Sequence, residues 1–129
     1  MEEAPINVLL ADDDAAFLAS LRELVDRQPE LNVVATAQDG LEAVELVDRL
    51  EPDAAVLDLH MPLLDYLSAI ARLRSDHPLL CLIALTSDGD GDGDGTLHAA
   101  VQRAGADAVL EKSAIVGALI DRLTKLRAA

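Results

Sequence analysis

Four apolar runs in this chain each lead into a residue able to do chemistry. Ile6 to Ala11, interrupted only by Asn7, runs into Asp12, Asp13 and Asp14; Ala54 to Leu57 delivers Asp58; Leu79 to Leu85 leads to Thr86; Ala108 to Leu110 is followed by Glu111 and Lys112. Short runs of Ala, Val, Leu and Ile are what parallel strands covered on both faces look like. Open parallel sheets bind ligands outside the carboxyl ends of their strands, so Asp12, Asp13, Asp58, Thr86 and Lys112 are expected to share one crevice. Three acids, a hydroxyl and an amine suit a divalent metal and a phosphoryl group, because carboxylates are hard oxygen ligands and the other two complement phosphoryl oxygens. Read singly, each has a plainer role. An Asp at a strand end caps a turn or a helix, and a lysine there is a solvated charge.

Asp58 is the centre of this arrangement, since Pro62 removes a backbone donor and stops its strand a few residues later. Around it the chain alternates two periods. After the first acidic turn, Phe17, Leu18, Leu21, Leu24 and Val25 recur at helical spacing. Asn32 to Ala37 reads as a second strand, and Asp39 with Glu42 as a capping box opening a helix of Ala43, Val44, Val47 and Leu50 that Pro52 closes. Asp65 or Ser68 starts a third helix carrying Leu67, Ile70 and Ala71, with Pro78 beyond its end. A fourth presents Leu97, Val101 and Ala104 with Gly105 as C-cap. Ser113 caps a last helix striped by Ile115, Val116, Leu119, Ile120, Leu123 and Leu126. Five β-α units in strict alternation predict an α/β fold, a single doubly wound parallel sheet with right-handed crossovers.

The length of 129 residues suits one domain that buries about two-thirds of its unfolded surface. Phe17 and Tyr66 are the only aromatics, so the core is aliphatic. A formal charge of −14, from 24 acids against 10 bases, argues against direct binding to nucleic acid or to an anionic membrane. Cys81 is the only cysteine, which rules out an internal disulfide, fits a reducing setting and reads as a buried, inert thiol. No apolar run approaches the roughly 20 residues that span a bilayer, and Met1-Glu2-Glu3 lacks the basic start of a signal peptide. A cytoplasmic location is expected.

The motifs Ala11-Asp12-Asp13-Asp14, Leu57-Asp58-Leu59-His60-Met61-Pro62 with Asp65, Thr86-Ser87, and Ala104-Gly105-Ala106 with Glu111-Lys112 occur together. Through them the chain resembles, from residue 6 to 126, the receiver domain of bacterial two-component response regulators. Asn32 to Gly40 is most similar to receivers that precede helix-turn-helix output domains. The resemblance implies a flavodoxin-like sheet of strand order 2-1-3-4-5 with five helices, and residues 1–129 as one receiver domain without an output domain.

It also implies a phosphorelay, with Asp58 as the nucleophile that takes a phosphoryl group and thereby switches partner binding. The donor would be a sensor histidine kinase, a histidine phosphotransfer protein or a small phosphodonor. An output protein or domain would read the signal, and both a monomer and a weak homodimer fit. Such a chain is a signalling module, not an enzyme acting on other substrates. By the same resemblance Asp13, Asp58 and the backbone carbonyl of His60 ligate Mg²⁺, Asp12 acts mainly through water, Lys112 and Thr86 each meet a phosphoryl oxygen, and small Ser87 leaves room for the group. The His60 imidazole is set aside as a ligand, because one His without a second at ligand spacing is usually not one.

The chain departs from the family pattern at three places. Tyr66 stands where Gly is usual, which is expected to reshape the lead-in to the third helix. Val109 replaces the common Tyr or Phe whose rotamer follows phosphorylation. Asp88-Gly-Asp-Gly-Asp-Gly-Asp-Gly95 lengthens the loop after the fourth strand. Its first six residues match the start of an EF-hand loop, but the twelfth position is Ala99, or Val101 when counted from Asp90, so no bidentate acid closes a calcium site. A solvated loop is the expectation.

Other classes fit less well. An Asp-nucleophile phosphatase wants Thr or Val after its second Asp, where this chain has Ala15 and Ala16, and a dinucleotide binder needs Gly-x-Gly-x-x-Gly in the first turn. The alternative of a different kind is a receiver-fold scaffold that binds partners through its last two helices and last strand without being phosphorylated. All five chemical positions being present argues against it.

Overall fold

Strand and helix alternate without exception in the computed structural model, which describes residues 4–63, 65–87 and 95–128. The order is β1 (Ile6–Ala11), α1 (Ala15–Asp26), β2 (Leu31–Ala37), α2 (Gly40–Leu50), β3 (Ala54–Asp58), α3 (Tyr66–Asp76), β4 (Cys81–Thr86), α4 (Thr96–Ala104), β5 (Ala108–Glu111) and α5 (Ile115–Ala128). Every pairing is parallel, and the sheet order is β2-β1-β3-β4-β5, as expected. Because β1 lies between β2 and β3, the winding reverses there and opens a crevice at the carboxyl ends of β1 and β3.

Successive strand residues feed opposite layers, as a period of two requires. Val8, Leu10, Val56, Ile83 and Leu85 pack with Leu18, Leu21, Leu119 and Leu123 of α1 and α5. Leu9, Ala55, Leu57, Leu82 and Ala84 pack with Ala43, Val47, Ile70, Leu73 and Val101 of α2, α3 and α4. With both faces covered, β3 is buried at every position, which is why it reads as an unbroken apolar run. Cys81 is buried and free, and burial pushes its thiol pKa up, so it is the inert side chain expected.

Aspartates start three of the helices. Asp14 Oδ1 accepts the N–H groups of Ala16 and Phe17, Asp39 Oδ1 accepts that of Glu42, and Asp65 caps Ser68 through both N–H and hydroxyl. Asp65, not Ser68, therefore opens α3. Glu42 reaches back to the N–H of Gln38 rather than to Asp39, one residue beyond a standard capping box. Tyr66 is the first residue of α3, and upstream of it Leu63 takes a left-handed conformation, at φ 59°.

Two boundaries differ from expectation. Strand β4 starts at Cys81, not Leu79: Leu80 N–H closes a turn onto His77 O, and Leu79 is 98% exposed. Ser113 does not open α5 but lies inside a 3-10 turn, Lys112–Ala114, that precedes it. The repeat Asp88 to Asp94, to which the solvated and calcium readings both apply, lies outside the described residues.

At the amino ends of β4 and β5, Arg74 of α3 donates to the carbonyls of Gly105, Pro78 and Leu80 and to Asp107 Oδ2, which also accepts Leu82 N–H. Gly105 ends α4 as expected, at φ 134°. No helix among the described residues is long and apolar enough to cross a membrane.

Candidate functional site

The switch-point crevice brings Asp12, Asp13, Asp58 and Lys112 together. Asp12 follows β1, is anchored by its N–H to Ala37 O of β2 at 3.0 Å, and is fully buried. Its Oδ1 accepts Asp14 N–H at 2.9 Å. Asp58 closes β3 at 1% exposure, and its Oδ1 accepts His60 N–H at 3.1 Å. Lys112, just past β5, places Nζ 2.7 Å from Asp12 Oδ2 and 3.4 Å from Asp58 Oδ2. Thr86 is buried at the end of β4, next to Leu85, which is the residue paired with Asp58. Asp13 is exposed at the mouth, and one carboxylate oxygen from each of Asp12, Asp13 and Asp58 lies within 4.8 Å of the others. His60 is exposed two residues beyond Asp58.

Electrostatics set Asp58 apart. Burial pushes its pKa up to about 6, with the charge of Asp12 adding to the rise and the His60 N–H and Lys112 opposing it. For Lys112, burial favours the neutral amine, but Asp12 and Asp58 outweigh it and the pKa is raised, so the side chain is a cation at neutral pH.

The acids fit a hard divalent cation. Asp12 is fully buried, and the close neighbour of its Oδ2 is the Lys112 ammonium at 2.7 Å. Three carboxylates facing one amine leave negative charge uncompensated, and oxygen-only donors match Mg²⁺ rather than a softer metal. Among the described residues, no other trio of Asp, Glu, His or Cys is so placed.

Sequence reading held capping only as the plainer role of an aspartate at a strand end and expected Asp12 and Asp13 in the crevice, and the structure divides the first turn between the two roles. Asp14 caps α1 and leaves Asp12 and Asp13 to the crevice. Sequence reading missed Phe17, whose ring centroid lies 4.6 Å from Lys112 Nζ. An apolar residue at helical spacing signals core, and only the three-dimensional position of Lys112 distinguishes it.

Comparison with known proteins agrees with this geometry. Residues 8–124 match the family of response regulator receiver domains. Two curated relatives are protein-glutamate methylesterase/protein-glutamine glutaminases. The one from Shewanella frigidimarina is 37% identical over 73% of this chain and 24% of its own length, and one from Myxococcus xanthus is 38% identical over 87% and 31%. The chain thus spans about a quarter to a third of the length of these relatives. The response regulator domain of Thermotoga maritima CheB superposes with a TM-score of 0.84 at 26% identity, covering 97% of this chain and 98% of that one. With the acids and the amine gathered at the switch point of such a sheet, the chain belongs to the response regulator receiver domain family.

Proposed function

We propose that this receiver accepts a phosphoryl group on Asp58 and, once modified, changes its affinity for an output protein or domain. The observation that carries the reading is a carboxylate at 1% exposure on a strand end, facing the Lys112 ammonium at 3.4 Å with two further acids beside it. An Asp58 carboxylate oxygen forms the new bond to phosphorus, while the bond from phosphorus to the donor breaks and the donor leaves with that electron pair. The donor is a phosphohistidine of a sensor kinase or histidine phosphotransfer protein, or a small acyl phosphate.

Asp12, Asp13, Asp58 and the His60 carbonyl would hold Mg²⁺, which when bound offsets the charge of the carboxylate and of the phosphoryl oxygens. The chain's own groups do the rest. Lys112 supplies a fixed positive charge to a phosphoryl oxygen, Thr86 supplies a hydroxyl donor, and the small side chain of Ser87 leaves room. The module catalyses only its own phosphorylation and dephosphorylation, in the cytoplasm.

Incubation with acetyl phosphate and Mg²⁺, read by intact mass and hydroxylamine lability, tests this. Wild type should gain one acyl phosphate and Asp58→Asn none. Labelling of the variant at the wild-type rate would sink the assignment.

A further inference from the structure

Lys112 is held from two sides. Two carboxylates meet its ammonium at 2.7 and 3.4 Å, and the face of Phe17 lies 4.6 Å away. These contacts close a circuit that begins and ends on Asp12. Asp12 Oδ1 accepts Asp14 N–H at 2.9 Å, Asp14 Oδ1 accepts Phe17 N–H at 3.1 Å, the Phe17 ring meets Lys112, and Lys112 returns to Asp12 Oδ2. The residue whose backbone N–H meets the α1 cap is thus also the one whose ring meets Lys112.

A lysine acts as a point charge on a flexible four-carbon stem, so its use at a reacting centre depends on what restrains it. The carboxylates restrain it only until a phosphoryl oxygen competes for the same N–H groups. An aromatic face attracts the cation through its quadrupole and offers no lone pair to that competition.

We infer that Phe17 is a positioning residue for Asp58 phosphorylation, its ring holding the Lys112 ammonium over the acidic pair while a phosphoryl oxygen replaces Asp58 Oδ2 as partner. This rests on the proposed phosphoryl transfer to Asp58. The simpler role for Phe17 is packing, since it is half-buried against the core between α1, α5 and the sheet, and any apolar residue of similar size would serve that role.

Phe17→Leu keeps the apolar bulk and removes the quadrupole, whereas Phe17→Tyr keeps both. With acetyl phosphate and Mg²⁺, Phe17→Leu should label about three- to tenfold more slowly than wild type, and Phe17→Tyr at close to the wild-type rate. In the metal-free protein, the Lys112 side-chain CH₂ resonance next to Nζ should show an upfield ring-current shift in wild type and Phe17→Tyr that disappears in Phe17→Leu. Equal labelling of wild type and Phe17→Leu, or a Lys112 resonance that ignores the substitution, overturns the role of Phe17. Absence of label on wild type overturns instead the phosphoacceptor reading beneath it, and the resonance still reports whether the ring contact exists.

Discussion

Lys112 sits closer to Asp12 than to Asp58, at 2.7 Å against 3.4 Å, so the amine neutralises the neighbour of the expected nucleophile better than the nucleophile itself. Asp58 is left buried beside a second carboxylate, and its pKa rises from 3.8 to about 6. Below pH 4 both folded and unfolded chains carry the proton. Between about pH 4 and 6 only the folded chain does, so the contribution of Asp58 to stability falls as pH rises through that window and is constant above it. Holding the ionised carboxylate in the folded chain above that window costs about 3 kcal/mol. In EDTA, Asp58→Asn should therefore be more stable than wild type above pH 6, with the gain shrinking to nothing near pH 4. Denaturant melts of both proteins across that range check this, and a gain independent of pH would contradict it.

The same repulsion makes the apo protein responsive to metal. A cation that binds only the folded state stabilises it in proportion to the logarithm of its concentration. Millimolar Mg²⁺ should raise the wild-type melting temperature by several degrees, about 1 to 3 kcal/mol of linkage. Asp13→Ala, which removes the exposed acid of the trio, should lose most of that rise without losing the fold. An equal rise in the variant would place the metal elsewhere.

Gly105 carries φ 134°, and a Cβ there would stand 2.7 Å from Cβ of Arg74. Gly105→Ala should cost about 2 to 4 kcal/mol from backbone strain and overlap combined. Arg74 Cγ would stand at 2.8 Å as well, but because the nearest clash is with Cβ, which alanine keeps, Arg74→Ala in the same chain should not restore stability. Thermal denaturation of the single and double variants decides this, and recovery in the double variant would place the strain at Arg74 Cγ instead.

Asp48 ties α2 to α3, accepting from Arg72 Nη2 at 2.6 Å and contacting His77 Nε2 at 2.9 Å. The His77 contact, followed by Arg72, holds its carboxyl below the usual range despite some burial. For a depressed acid the contribution is present above the unfolded pKa and lost as pH falls through the folded one. The pair is solvent-screened, so Asp48→Asn should lower the melting temperature by only about 2 °C at pH 7 and not at all once Asp48 is protonated. Melts at pH 7 and at strongly acidic pH check both limits.

What the sequence made legible follows from physics that acts locally. Period-two burial on both faces wrote β1, β3 and β4 as apolar runs, and the candidate site residues Asp12, Asp58 and Thr86 stand where these runs stop. Errors arose where apolar residues are not buried. Leu79 extends the β4 run in composition, but a turn onto His77 and the carbonyl contacts of Arg74 hold residues 78–80 out of the sheet. Phe17 failed in the opposite sense, since one residue both packs on the core and faces a cation 95 positions away in sequence, and periodicity registers only the first. The Asp12, Asp13 and Asp58 cluster was legible because the ends of β1 and β3 converge in any sheet of this winding.

Arg74 faces five acceptors, the carbonyls of Gly105, His77, Pro78 and Leu80 and the Asp107 carboxylate. A guanidinium carries five N–H groups spread over three nitrogens, whereas a lysine ammonium carries three on one atom. Replacing Arg74 by lysine preserves the charge but supplies three donors for these five acceptors, all on one atom. At this corner of the fold, the supply of donors and the span over which they are spread decide what is tolerated, and net charge does not.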